Sequence, residues 1–161
     1  MTLVIEHPVA LANVGRLLPC DVDDLLAMYA RCSPDTTYHR WHGHLRSFPA
    51  AYLSAMVAGS DEHIAVVARH DDGVIGFASA AEIAPDTREL GVLVEDRWQR
   101  RGVGGQLLSR LLADCVALGT GFIRAEVLSA DAWLLDLMRR LGPTTIRPAA
   151  GILTGRVRIR A

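Results

Sequence analysis

The sequence predicts a mixed α/β (α+β) domain with a mostly antiparallel sheet, one parallel βαβ crossover and flanking helices. Two apolar runs, residues 63–69 and 74–83, alternate as strands do and are joined by a turn that contains glycine, which indicates an antiparallel hairpin. Residues 89–94 indicate a third strand that leads through a glycine-bearing turn into a long amphipathic helix, and residues 122–128 indicate a strand after that helix. A strand, a helix and a second strand in this order pair in parallel when the strands are neighbours.

The first third of the chain contains one predicted strand and three predicted helices. Residues 14–18 are strand-like, and the helix that follows is expected to be capped at Cys20 or Asp21. Its apolar positions have helical spacing: Val22, Leu25, Leu26 and Tyr29. Residues 33–35, Ser-Pro-Asp, are typical of an N-cap followed by proline at the first helical position, and the Phe-Pro pair at 48–49 is predicted to repeat this device. The apolar positions after that pair are Tyr52, Leu53, Met56 and Val57.

The second half continues with turns at 71–73 and 85–87, the long helix, and a break at 119–121. The apolar stripe predicted for the long helix is Val103, Leu107, Leu108, Leu111, Leu112, Cys115 and Val116. A last helix is lined by Leu134, Leu137, Met138 and Leu141. Two short strands, near 144–147 and 152–159, are predicted to close the chain.

The composition indicates one compact enzyme-sized domain, residues 1–161. Half of the residues are apolar, 22% are charged and the formal net charge is −1, so neither disorder nor a nucleic-acid partner is expected. The three cysteines, Cys20, Cys32 and Cys115, are odd in number and lack metal-ligand spacing, which argues against a disulfide framework and a zinc site. Residues 1–8 lack a basic leader, and no apolar run approaches the roughly 20 residues of a membrane span. We therefore expect a cytoplasmic protein with no membrane partner.

The glycine turn between the third strand and the long helix is the most informative motif. Gly102, Gly104 and Gly105 let backbone N–H groups face inward at the positive end of the following helix, which makes a site for phosphate. A P-loop needs a lysine after its last glycine, and all 17 Lys+Arg residues of this chain are arginine. A dinucleotide-binding turn needs a third glycine where Leu107 stands. Both of these phosphate sites are therefore disfavoured.

The same turn, Gln99-x-x-Gly102-x-Gly104 after an apolar strand, resembles the acyl-CoA pyrophosphate loop of the GNAT N-acetyltransferase superfamily. Residues 33–41 and 89–104 are most similar to the catalytic domain of bacterial protein lysine acetyltransferases. The resemblance implies a GNAT-like fold in which the strands beside the crossover splay apart and the pantetheine arm of acetyl-CoA, the acyl-donor cosubstrate, lies in the gap. It implies main-chain hydrogen bonds to the pantetheine from Val92, Leu93 and Val94. It places the pyrophosphate against Gln99, Arg100, Arg101, Gly102, Val103, Gly104 and Gly105.

Transfer to an amine requires a base, because an amine with a pKa of about 10.4 is almost wholly protonated at pH 7. Glu89 stands where those lysine acetyltransferases carry a catalytic glutamate, so the resemblance implies that Glu89 is the base, directly or through a water. Glu126 matches a second position that some relatives use as a base. The alternative for Glu89 is a surface carboxylate paired with Arg88 or Arg124. An amide near Leu93 would polarise the thioester carbonyl.

The general acid is the part of the family pattern from which this sequence departs. Many family members protonate the leaving thiolate with a tyrosine seven residues after an asparagine in the last helix. Asp131 and Met138 stand at those two positions here. A thiol with a pKa of about 8.5 is a tolerable leaving group without help.

The segment 38–44 combines aromatic, arginine and histidine side chains. The corresponding region lines the acceptor site in the superfamily, which implies substrate contacts from Tyr38, Arg40 and Trp41. A packed helix end is the alternative. His39, His42 and His44 lack the spacing of a tetrahedral metal site, so no metal is expected.

The predicted function is an acetyl-CoA-dependent N-acetyltransferase that acetylates a primary amine by direct attack in a ternary complex. The acceptor is left open between a small-molecule amine, such as an antibiotic amine, and a protein lysine, and a longer acyl donor is a further alternative. The competing class is a non-catalytic acyl-CoA sensor or regulatory module on the same fold, because the tyrosine and asparagine are absent. A homodimer is also left open.

Overall fold

A computed structural model describes residues 12–71, 73–128 and 132–160. The strands found there are β1 (Asn13–Arg16), β2 (His63–His70), β3 (Gly73–Ala84), β4 (Thr87–Val94), β5 (Phe122–Leu128), β6 (Thr144–Ala149) and β7 (Ile152–Arg158). The α-helices are α1 (Val22–Arg31), α2 (Pro34–Trp41), α3 (Ala50–Val57), α4 (Val103–Ala117) and α5 (Trp133–Leu141). The strands form one sheet in the order β1-β2-β3-β4-β5-β7-β6, in which β4 and β5 are parallel and the other neighbours antiparallel. The predicted mostly antiparallel sheet with one parallel crossover is confirmed.

The starts of α2 and α3 show how closely local sequence sets a helix bound. α2 begins at Pro34, and the Ser33 hydroxyl accepts a hydrogen bond from the Thr36 N–H, so the predicted N-cap with proline at the first position is confirmed. α3 begins at Ala50 with Pro49 in the capping position. The predicted repetition of the device is therefore wrong by one residue, because this proline precedes the helix instead of opening it.

Asp21 occupies the capping position of α1, one of the two residues predicted for it, but its carboxylate does not cap the helix. It accepts the Leu18 N–H at 2.8 Å and pairs with Arg69 of β2, with Nε 2.7 Å from Oδ1. The hydrogen bond from Arg69 is the main cause that lowers the pKa of Asp21 below its ordinary value. The Asp21 side chain is only 8% exposed, so the pair fixes the start of α1 to the sheet through a buried carboxylate.

The apolar stripes predicted for α4 and α5 are mostly buried, but Leu112 and Leu137 are only half-buried and two positions near the helix ends are exposed. The side chains that α4 and α5 bury are Val103, Leu107, Leu108, Leu111, Cys115, Leu134, Leu135 and Met138. Val116 and Leu141 were expected in these stripes but are 51% and 40% exposed. Both lie in the last turn of their helices, where they line a shallow apolar groove with Leu112 and Ile159 instead of covering the sheet. Leu26 of α1 is also exposed, which corrects its assignment to a buried stripe.

The sheet separates two hydrophobic layers. α4 and α5 pack on one face, and α1, α2 and α3 pack on the other face against β2, β3 and β4. Met28, Met56 and Phe77 form the centre of the second layer and are nearly inaccessible to solvent. Because this layer ends at β4, the parallel pair lies at its border.

The parallel strands separate after a short paired stretch. β4 and β5 pair from Thr87 opposite Phe122 to Leu90 opposite Ala125, and each strand then continues for three or four residues, to Leu128 and Val94. The predicted splay beside the crossover is therefore present. The helix α4 that connects the two strands begins close to the point where they diverge.

β6 is an edge strand of the sheet and carries Pro148 opposite Leu153 of β7. Proline has no N–H, so this position cannot donate to a neighbouring strand. None of the helices in the described residues is long and apolar enough to cross a membrane. Residues 1–8, Asp72 of the predicted hairpin turn and Asp131 lie outside the described residues.

Candidate active site

A cleft of about 860 Å³ opens where β4 and β5 separate. The glycine turn before α4 lines one end of it, and side chains of α2 and α3 line the other. Glu89 and Glu126 also line the cleft, one from each of the diverging strands. The two carboxylates and the anion-binding turn predicted from sequence therefore share one cavity.

The glycine turn has the backbone conformation expected for an anion site. Gly102 caps α4 with a φ of 86°, and Arg100 before it has a φ of 57°. The first helical hydrogen bond runs from the Gln106 N–H to the Gly102 carbonyl, so the N–H groups of residues 103–105 are left without an intrahelical acceptor. These groups lie at the positive end of α4, where a pyrophosphate would be stabilised.

Gly104 keeps the turn open toward the cleft. A Cβ at this position would lie 3.4 Å from the Trp133 ring and 3.8 Å from the Val94 side chain. Trp133 opens α5, is 46% exposed and lines the cleft. Sequence reasoning missed Trp133.

Arg100 and Arg101 of the turn point to different surroundings. Arg100 lines the cleft, as the pyrophosphate prediction requires. The Arg101 guanidinium lies over the Trp98 ring, 4.7 Å from its centroid, and Nη1 donates to the Arg97 carbonyl at 3.5 Å. The Arg101 side chain thus packs on the protein, and the predicted contact of Arg101 with pyrophosphate stays a prediction.

A polar network connects the glycine turn to α2. Gln99 Nε2 donates to the Val94 carbonyl and to the Thr36 hydroxyl, both at 3.0 Å. The Asp96 carboxylate accepts from the Ser33 N–H at 2.8 Å, from the Ser33 hydroxyl at 2.7 Å and from the Thr36 hydroxyl at 3.0 Å. Burial acts to raise the pKa of Asp96, but these hydrogen bonds outweigh it and hold the pKa below its ordinary value. Gln99 therefore connects the turn to the end of β4 and to α2, and its predicted contact with the cofactor stays a prediction.

The alternation of β4 determines which amides face the gap. The Glu95 N–H donates to β3 at 3.0 Å, and the register between β3 and β4 is regular from there back to residue 89. Residues two apart point the same way, so Leu93 directs its N–H and C=O to β3, while Val92 and Val94 direct theirs toward the gap. Gln99 accordingly reaches the Val94 carbonyl from the gap side. The expectation of a gap-facing amide at Leu93 is corrected by this alternation.

Arg124 joins the two candidate bases. Its Nη1 lies 3.0 Å from Oε2 of Glu89, and its Nη2 forms a short contact with Oε1 of Glu126. The three side chains are about one-third exposed. Register explains the arrangement, because Glu89 lies opposite Arg124 and Glu126 follows it by two residues on the same face of the sheet.

The pKa of Glu89 is raised above its ordinary value. Burial is the largest cause; Glu126 adds to the rise, while Arg124, Arg40 and His42 oppose it. A carboxylate with a raised pKa is a better proton acceptor near neutral pH than an ordinary glutamate.

Arg88, proposed as an alternative partner of Glu89, is turned to other groups. Its Nε donates to the Thr120 hydroxyl at 2.9 Å, and its Nη2 bonds the Asp61 carbonyl. Neighbouring strand residues point to opposite faces, so Arg88 and Glu89 cannot share a face. The pairing of Glu89 with Arg88 is therefore wrong, and the pairing with Arg124 is confirmed.

The end of the cleft away from the glycine turn is built by α2 and α3. Arg40, Trp41 and His42 line it from α2 and its C-terminus, and Tyr52 lines it from α3. Tyr38, also expected at the acceptor site, instead packs its ring against His44 at 4.9 Å. Tyr52 was predicted only as an apolar helix position, but it lines the cleft, and its hydroxyl accepts a hydrogen bond from Arg40.

The three histidines near α2 do not converge on a metal site. His39 lies 3.5 Å from Asp35, and the His42 side chain lines the cleft. Among the described residues there is no group of three histidine, cysteine, aspartate or glutamate side chains arranged to hold a metal ion.

Met138 lies at the position of the missing tyrosine. It is 1% exposed, and its sulfur would lie 3.1 Å from a Cβ at Gly155 of β7. Met138 is thus a core residue that packs α5 on the sheet, as its apolar stripe predicted. It has no proton to donate.

The family model for the acetyltransferase (GNAT) family matches residues 22–142, three-quarters of the chain. The chain belongs to the GNAT family. The matched region contains the GNAT glycine turn, both splayed strands and both carboxylates described above. No curated protein matches this GNAT sequence.

Solved structures share the GNAT fold at low sequence identity. The GNAT domain of S. lividans PAT superposes with a TM-score of 0.80 at 21% identity, covering 91% of this chain and 90% of that one. A putative acetyltransferase from Salmonella typhimurium, solved with its cofactor acetyl-CoA, gives 0.72 at 19% identity, with 94% and 96% covered. A Sinorhizobium meliloti phosphinothricin acetyltransferase in complex with acetyl-CoA gives 0.72 at 20% identity, with 92% and 89% covered.

Proposed function

We propose that this GNAT chain transfers an acetyl group from acetyl-CoA to a primary amine by direct attack in a ternary complex. The observation that carries the proposal is the single cleft that joins an anion-binding turn to a carboxylate with a raised pKa. Family membership and two similar structures that contain acetyl-CoA support the donor.

The residues present fit acetyl-CoA. The N–H groups of residues 103–105 are available to the pyrophosphate, and Gly104 leaves free the space that a Cβ would fill beside Trp133. Val92 and Val94 offer main-chain groups to a pantetheine arm in the gap between the strands. Bound there, acetyl-CoA supplies the acetyl group as a thioester.

Glu89 is the proposed base. It would accept one proton from the ammonium form of the acceptor, directly or through one water, so that the neutral amine can attack the thioester carbonyl carbon. The C–N bond forms as the C–S bond breaks, and the second proton of the amine passes to water or to the departing thiolate. Arg124 holds the carboxylate in place and limits the rise of its pKa, so that Glu89 stays available as an acceptor. Glu126, held by the same arginine, is the second candidate.

The leaving thiolate needs no protein acid in this proposal. A thiol with a pKa of about 8.5 forms a stable enough thiolate near neutral pH. Met138 cannot protonate it, and the short polar segment around Asp131 lies outside the described residues.

The acceptor class remains between a small-molecule amine and a protein lysine, and the donor between acetyl and a longer acyl chain. The cytoplasmic location, the single-domain extent of 1–161 and a homodimer likewise stay predictions.

Titration calorimetry with acetyl-CoA and CoA, followed by a thiol-release assay over amines and lysine peptides, tests the proposal. Binding with turnover on any acceptor supports the transferase. Absence of CoA binding by folded protein would overturn the assignment of the glycine turn.

An acyl-CoA sensor on the same fold is the second candidate. It is favoured by the ion pairs of Arg124, which engage both candidate bases, Glu89 and Glu126. Met138 also stands where a general acid would be needed. Tight CoA binding with no thiol release from any acceptor, unchanged by Glu89→Gln, would favour the sensor.

A further inference from the structure

Arg40 is a cation inside the acceptor end of the cleft. Its guanidinium lies 4.0 Å from the centroid of the Trp41 ring and 5.1 Å from that of Tyr52. Its Nη2 donates to the Tyr52 hydroxyl at 2.6 Å, and that hydroxyl is in turn hydrogen-bonded to Ser79 of β3. Three elements, α2, α3 and β3, therefore hold the guanidinium in one place.

Gly91 is what allows Arg40 to lie against β4. A Cβ at Gly91 would lie 2.3 Å from Nη2 and 2.4 Å from Cζ of Arg40, a separation that real side chains do not reach. Gly91 and Glu89 are two residues apart on the same face of β4, which spaces their backbone positions by about 7 Å. The guanidinium and the proposed base therefore lie side by side along one wall of the cleft.

Among the described residues, Arg40 has no carboxylate partner, whereas other arginines that face inward do. Arg31 pairs with Glu95, Arg69 with Asp21, and Arg124 with Glu89 and Glu126. Within the described residues, no carboxylate oxygen lies within 4.0 Å of Arg40, and its buried Nε has no hydrogen-bond partner. A shielded cation with a free N–H is unfavourable unless something else supplies an acceptor.

We propose that Arg40 binds a carboxylate of the acceptor, so that the substrate is a small amine that also carries an acidic group, as amino acids do. The inference rests on the proposed acetyl transfer and names its substrate class. The acidic group would lie on Arg40 beside Gly91, and the amine would face Glu89. Because the guanidinium lies between α2 and β4, the geometry favours a small molecule over an acidic patch on a folded protein.

Matched acceptors test the proposal. Each amino acid is assayed by thiol release beside its carboxamide, which keeps the amine and removes the negative charge. In the wild-type protein the acid should have a KM about 10- to 100-fold lower than the amide, the range expected for a charged hydrogen bond. Arg40→Gln should raise the KM of the acid to that of the amide while changing the KM of the amide much less, and Arg40→Lys should restore part of the preference.

Two further variants separate binding from folding. Gly91→Ala keeps the charge but displaces the guanidinium, so it should also reduce the preference for the acid. Arg156→Gln removes an exposed arginine that lies over Phe122, 3.6 Å from the ring centroid, and should keep the preference. CoA affinity and thermal unfolding show whether each variant remains folded.

The outcomes distinguish this inference from the proposed function. Turnover of amides and acids with equal KM, or equal losses for both in Arg40→Gln, would overturn the acidic-group proposal and leave the transferase standing. Turnover of lysine peptides without a preference for acidic neighbours, and of no amino acid, would also overturn it. If no acceptor turns over, amino acids and their carboxamides are titrated into CoA-saturated protein. Equal affinity for the acid and the amide would overturn the proposal.

Discussion

The two ends of the cleft are built in different ways. The donor end consists mainly of backbone groups from one continuous segment, the end of β4 and the turn before α4. The acceptor end consists of side chains from α2, α3 and β4, where Arg40, Tyr52 and Glu89 come from three separate elements of the chain. A backbone site can be recognised from local spacing, whereas a side-chain site depends on how distant elements pack.

The largest expected effect lies at the border between the two ends. Glu89→Gln should lower kcat by about 100- to 10,000-fold while leaving CoA affinity unchanged, because it removes a general base and no donor contact. The wild-type rate should rise with pH as the raised pKa of Glu89 is passed, and the deficit of the variant should shrink as the pH nears the amine pKa of about 10.4. Thiol release measured from pH 5 to pH 10 checks both points.

Glu126→Gln is the matched control, since it also loses a carboxylate on Arg124. A loss of less than about tenfold is expected for it. A deficit in Glu126→Gln as large as that in Glu89→Gln would contradict the assignment of a single base.

A single added side chain at the donor end should impair CoA binding. Gly104→Val should weaken CoA binding by at least about 100-fold, because its Cβ and methyl groups enter the space between Trp133 and Val94. Calorimetric titration with CoA measures the affinity. Ser109→Val places the same residue on the exposed surface of α4 and should bind CoA as the wild type does. Equal affinities of Gly104→Val and the wild type would remove the turn from the binding site.

A smaller effect is expected where the two ends are connected. Gln99→Ala removes the bonds to the Val94 carbonyl and the Thr36 hydroxyl, so the turn loses its fixed position relative to α2. CoA affinity should fall by about tenfold, the loss of one or two net hydrogen bonds. Unaltered CoA affinity would show that α4 positions the turn without this network.

The smallest effect on function is expected for a change outside the cleft. Asp21→Asn should destabilise the fold by about 2 kcal/mol at pH 7, since it breaks a shielded pair with Arg69. The pKa of Asp21 is lowered, so its stabilisation is present above the ordinary value of 3.8 and is lost as the pH falls through the lower folded value. Denaturant unfolding at pH 7 and near pH 2 should show the difference and its disappearance.

Asp136→Asn is the control for that measurement, because Asp136 pairs with Arg139 on the exposed surface of α5. Its effect should stay within about 0.5 kcal/mol at both pH values. A pH-independent loss in Asp21→Asn would contradict the role of the charge.

The fold was predictable wherever one segment carries its own pattern. The hairpin, the crossover and the cap at Ser33 all follow from spacing within a few residues. The errors at Val116 and Leu141 arise because helical periodicity does not tell where the sheet beneath a helix ends. The proline of α3 was misplaced by one residue for a similar reason, since Pro is compatible with both the cap and the first turn.

The candidate site was likewise predictable where one segment contains the motif, and not where distant elements meet. Gly102 and Glu89 were found from the strand and turn that contain them, and their cavity is the one observed. Trp133 and the hydroxyl of Tyr52 were missed because nothing near them in sequence indicates that they face the glycine turn or Arg40. The direction of the Leu93 amide depends on register with β3, which no local motif reports.

The proline of the edge strand limits how copies of this chain could assemble. A sheet that continued from one molecule into the next through β6 would meet a residue without an N–H at Pro148, near the end of the strand. Proline at this position therefore disfavours pairing of two copies through this edge. Away from this edge, the exposed Val116 and Leu141 offer apolar surface for side-chain packing between copies.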